Sequence, residues 1–101
     1  MSAYIHPSDV KSPRAHFTLI TVLSEGTVGI TDDASHAMAI GEWEGVRHIC
    51  TRWNGDENGS PGMPQSRGIA IWFIQPLAYT LALISTLPAD KQTLAKALMG
   101  V

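Results

Sequence analysis

The chain is poor in cysteine and short of charge. Cys50 is the only cysteine among 101 residues, which excludes an internal disulfide and fits a reducing compartment. Seven Lys and Arg against nine Asp and Glu leave a formal charge of −2. No overall field therefore draws the chain to phosphate backbones or anionic lipid, and general nucleic-acid binding is not expected. The opening MSAYIHPSDVKSPR has no apolar core of the kind a signal peptide needs. The expected location is cytoplasmic.

One long uncharged run is present, Ile69 to Leu87, close to the length of about 20 residues that spans a bilayer. Gln75-Pro76 divides it, with β-branched and aromatic residues before the break and helix formers after it. A buried strand followed by a helix is expected, and no membrane span. A composition 45% hydrophobic and 16% charged, with three tryptophans, is that of a folded chain long enough for one domain.

Residues 1–15, rich in Ser and Pro without apolar periodicity, read as an extended or flexible N-terminal arm. Residues 16–101 form the expected domain. His16 to Leu23, HFTLITVL, alternates strand formers, Ser24 to Gly26 makes a turn, and TVGI at 27–30 reads as a short partner strand. Thr31, Asp32 and Asp33 suit a helix start, but HAMAIGEW and VRHICTRW are strand-length runs joined by Glu44-Gly45, and the hairpin is preferred. Its register pairs Trp43 with Val46, Glu42 with Arg47 and Ile40 with Ile49. One of its faces then carries Ala37, Ala39 and Gly41, small enough to admit a helix closely. That helix is expected over 76–87, with Leu77, Leu81, Ile84 and Leu87 near one face. Apolar residues wrap most of it, so its spare side suggests a homodimer. The final helix, PADKQTLAKALM, is expected to turn Leu94 and Leu98 inward. The fold class is α+β, a mostly antiparallel sheet of four to five strands with two C-terminal helices on one face.

The residues carrying possible chemistry gather near a long Gly/Pro-rich loop at 54–68. Arg52 and Trp53 enter it and Arg67 leaves it, so two guanidiniums and an indole are expected near one end of the sheet. With Asn54 and Asp56 these make a candidate site for a small anionic ligand or a protein partner. The bland reading has Asp56 and Glu57 neutralising both arginines and pinning the loop. Asn54, Asp56 and Asn58 overlap the first half of a calcium loop, but Gln65 stands where a bidentate Glu belongs, and turn formation is the expected role. No metal or cofactor is expected. His48 and Cys50 share a strand face and define an alternative, a thiol-dependent enzyme; strand neighbours about 6.5–7 Å apart at the backbone make a poor dyad. Arg47, Arg52 and Arg67 with Trp53 define a lesser alternative, a nucleic-acid accessory protein. Trp72 and Phe73 read as core. The leading expectation is a small binding or interaction module without an enzymatic role.

Overall fold

A hairpin of two long strands, His36–Trp43 and Val46–Trp53, organises the molecule. The structure is a computed structural model that describes residues 4–13, 15–29 and 33–101. Strand β1 spans Phe17–Ser24, β2 His36–Trp43 and β3 Val46–Trp53. Glu44 and Gly45 form the two-residue turn with φ of 54° and 81°. Both central residues thus have the positive φ that matches the strand twist in a type I′ turn. The register is the expected one, from Trp43 opposite Val46 through Ile40 opposite Ile49 to His36 opposite Trp53.

Strand β1 adds to β2, with register shifts between Leu19 and Thr21 and between Val22 and Ser24. A short β6, Phe73–Ile74, pairs with Cys50 and Thr51 on the other side. The antiparallel sheet runs β1-β2-β3-β6, and a separate hairpin joins β4, Gln65–Ser66, to β5, Ile69–Ala70. Helices α1, Thr80–Ile84, and α2, Ala89–Met99, follow. The α+β class is as expected. The radius of gyration, 13.0 Å, is that of one domain of about 100 residues.

Strand alternation splits the core between two sheet faces. On the first face Phe17, Ala37, Ala39 and Cys50 pack with Val10, Ala70 and Trp72. The small stripe of β2 therefore receives no helix: a Cβ at Gly41 would collide with the Phe17 ring, and the arm and Trp72 fill the remaining space. Trp72 fixes that cover by donating its indole N–H to the Val10 carbonyl at 2.8 Å and its backbone N–H to the Ser12 carbonyl at 2.9 Å. The N-terminal residues 4–13 include a single 3-10 turn at Pro7–Asp9 and bury Pro7 and Val10.

The helices cover the second face. There Met38, Ile40 and Ile49 meet Ile84, Leu87 and Ala95. The expected helix over 76–87 is broken into a 3-10 turn, Leu77–Tyr79, and the five residues of α1. Ser85 and Thr86 end it by donating their hydroxyls to the carbonyls of Ala82 and Leu83, at 2.6 and 2.7 Å. Thr80, Ile84 and Leu87 face inward, whereas Leu77 and Leu81 point out. In α2, Ala95 is fully buried and Leu98 partly so, while Leu94 is exposed. A short Ala lets the helix sit close to the sheet where Leu would hold it off.

Thr27 to Gly29 form no strand. The chain is fastened there by single bonds, Thr27 N–H to the Ala34 carbonyl at 2.8 Å and Gly29 N–H to the Gly55 carbonyl at 2.9 Å. Ile30, Thr31 and Asp32, which bear on the expected strand end and helix start, lie outside the described residues. Among the described residues no helix is long and apolar enough to cross a membrane.

Candidate functional site

The 53–68 stretch is a structured connection. Asn54 begins it fully buried, donating its side-chain amide to the carbonyls of Glu25 and Thr27 at 2.8 and 2.9 Å, which ties the preceding connection to the end of β3. Asp56 Oδ1 accepts from the backbone N–H groups of Asn58 and Ser60 at 2.9 and 3.1 Å. This is the local turn chemistry of Asx residues. The three candidate calcium ligands thus do different work, and no cluster of three or more His, Cys, Asp or Glu that would suit a metal occurs among the described residues. Met63 closes the loop by exchanging backbone bonds with Trp53 at 2.7 and 3.1 Å.

Arg52 is the centre of that closure. It points to the first face, 3% exposed, and its guanidinium donates to the carbonyls of Pro61 and Ile71 and to that of Pro64 at 3.3 Å. Burial pushes its pKa down to about 10, still cationic at neutral pH. The planar fork suits several carbonyls at once, so Arg52 is the pin of the loop without any help from Asp56. Gly62 belongs to the same arrangement, because a Cβ there would collide with the Trp53 carbonyl and crowd the guanidinium. Arg67 stands apart, exposed at the tip of the β4–β5 hairpin, where it and Gly68 have φ of 51° and 80°. Arg47 donates to the Leu98 carbonyl at 2.7 Å, at the negative end of α2. The three arginines form no common patch.

Cys50 is 0% exposed, and burial pushes its thiol up to about 12. Its Sγ faces the His48 carbonyl at 3.7 Å, while the His48 ring donates from Nδ1 to the Gln75 carbonyl at 2.9 Å. The imidazole is turned to β6 and the sulfur to the core. A protonated, enclosed thiol has the character of a small apolar side chain.

A concave feature lies on the second face, at the same end of the sheet as the loop. It is a cleft of about 510 Å³. Beyond the short α1 the helices leave a gap over the stretch where Thr51 and the His36–Trp53 pair stand, with the buried Met38 at its floor. Met63 and Pro64 wall the cleft from the loop, Phe73 and Gln75 from β6, and Leu83 and Thr86 from the helix. Trp53, expected at the site, is part of it and meets His36 edge to face, ring centres 6.1 Å apart. Arg52 touches the lining from the adjacent position, and Arg67 does not. Phe73, expected in the core, is 51% exposed here, whereas its neighbour Trp72 takes the core position on the opposite face. Alternation along the established hairpin register assigns His36, Met38, Thr51 and Trp53 to one face. The opening itself comes from the early end of α1, which apolar periodicity alone does not reveal.

Compared with models of known protein families, with curated proteins and with solved structures, the chain matches none.

Proposed function

We propose that the protein is a small binding module that holds a ligand in the cleft on the helix-covered face of the sheet. The observation that carries this reading is the cleft itself: about 510 Å³, walled by Met38, Trp53, Met63, Phe73 and Leu83, with a few polar groups among them. Ligand sites are commonly concavities of about 300–1,000 Å³, mostly apolar, with a small number of polar groups that fix orientation. The loop contributes as a fixed wall, because Arg52 and the Trp53–Met63 pairing hold it against the sheet.

The test uses small ring compounds and a variant that fills the space. Binding to the native state raises Tm by mass action. A hit is expected to stabilise the natural chain and to leave Leu83→Trp, whose larger side chain occupies the cleft, unshifted. Equal shifts in both would place the binding elsewhere.

A second reading, a homodimer through residues 76–87, is favoured by a separate observation. Leu77, Leu81, Val46 and Val101 surround a smaller cleft of about 430 Å³ and present their side chains to solvent, Leu81 at 58% exposure. Sedimentation at micromolar concentration is expected to give a dimer for the natural chain and a folded monomer for Leu81→Glu. A monomer for the natural chain at all concentrations contradicts this reading.

A further inference from the structure

The polar groups in the cleft select among ligand classes. Gln75 donates from Nε2 to Thr51 Oγ1 at 2.8 Å. The Thr51 hydroxyl has accepted one bond and retains its own proton to donate. Thr86 has committed its proton to the Leu83 carbonyl, so its oxygen offers lone pairs. His36 Nδ1 lies 2.6 Å from the Asp33 carbonyl. A carbonyl only accepts, so Nδ1 carries the proton and Nε2 of the neutral ring is an acceptor. Gln75 Oε1 adds another acceptor.

The cleft thus offers donors and acceptors side by side and no available formal charge, for the one guanidinium in its wall is directed to the opposite face, where its two terminal nitrogens donate to carbonyls and its Nε is buried out of reach. Placing an anion against Met38, Phe73 and Leu83 would strip its water without supplying a counter-charge, a costly transfer. A hydroxyl, which donates and accepts at once, fits this set.

We infer that the ligand is an uncharged, mostly apolar molecule bearing a hydroxyl group, received by Thr51, Gln75, Thr86 and His36. The inference rests on the cleft being a binding site.

Three probes of one shape separate the possibilities: naphthalene, 2-naphthol and 2-naphthoate, titrated at pH 7 against the ¹⁵N-labelled protein and followed at the Trp53 indole N–H. The expected order has 2-naphthol at least about threefold tighter than the other two, as one or two net hydrogen bonds allow. In Thr51→Val that preference is expected to disappear while naphthalene binds as before, which also shows that the variant is folded. Equal affinities for all three, or tightest binding of 2-naphthoate, overturn the ligand class and leave the cleft as a site. No binding by any probe removes the cleft reading itself.

Discussion

At the scale of the residue, the arginine and the cysteine nearest the loop are both enclosed, with opposite consequences. Arg52 holds three carbonyls from 61 to 71 with one rigid fork. A lysine is a point charge and cannot span them. Arg52→Lys is expected to lower stability by about 2–3 kcal/mol, from lost charge-assisted bonds, and to leave the loop open to protease between Pro61 and Ile71; chemical denaturation and limited proteolysis read the two effects. A change under about 0.5 kcal/mol would show that the guanidinium is not the pin.

Cys50 gives a pH dependence of definite sign. Its thiol ionises near 9.0 when unfolded and at about 12 in the fold. Between those values the unfolded chain has released a proton that the folded chain still holds. The contribution is therefore complete below pH 9 and lost as pH rises toward 12. The denaturation midpoint is expected to fall less between about pH 8 and about pH 10.5 in Cys50→Ala than in the natural chain. Alkylation of the native protein is expected to be slow throughout neutral pH; rapid labelling near pH 7 would restore the thiol-enzyme alternative.

At the scale of the element, the β2–β3 hairpin was the most legible part. Two strand-length runs and a two-residue connection determined β2, β3 and every pair between them. The price of the turn falls on Glu44, held at φ 54°, a left-handed backbone that costs an ordinary side chain about 1–2 kcal/mol. Asparagine tolerates it better, and Asn-Gly is a preferred type I′ pair. Glu44→Asn is expected to raise stability by about 0.5–1 kcal/mol, measured by the urea midpoint; a fall would show that the exposed His16 contact, 3.9 Å away, outweighs the strain. The helical segment was less legible, because Ser85 and Thr86 compete with helix continuation through their own side chains and periodicity is blind to that. The same ambiguity hid which face each helix takes: Ala95 and Thr80 occupy inward positions that composition assigns to leucine.

At the scale of the whole molecule, the two sheet faces are treated differently. The first is sealed by Phe17, Trp72 and the N-terminal residues, down to the close contact at Gly41. The second is covered where Ile84, Leu87, Ala95 and their apolar neighbours reach it, and at the loop end it opens into the cleft. The sequence pointed to the end of the sheet where the cleft lies and to Trp53, which lines it, but also to the loop and its arginines, of which Arg67 does not line it. The opening lies beside the loop, whose Asp56 bonds the loop's own backbone and whose Asn54 amide ties down the connection after β1.

Binding in the cleft is what the proposal stands on. Mapping backbone amide shifts on titration with 2-naphthol tests it most directly. Shifts are expected only in β2 and β3 around Met38 and Thr51, at Phe73, and from Leu83 through Thr86, with Ala39, Cys50 and Trp72 on the sealed face unmoved. Shifts centred instead on Leu77, Leu81 and Val101, or spread without a focus, would contradict it.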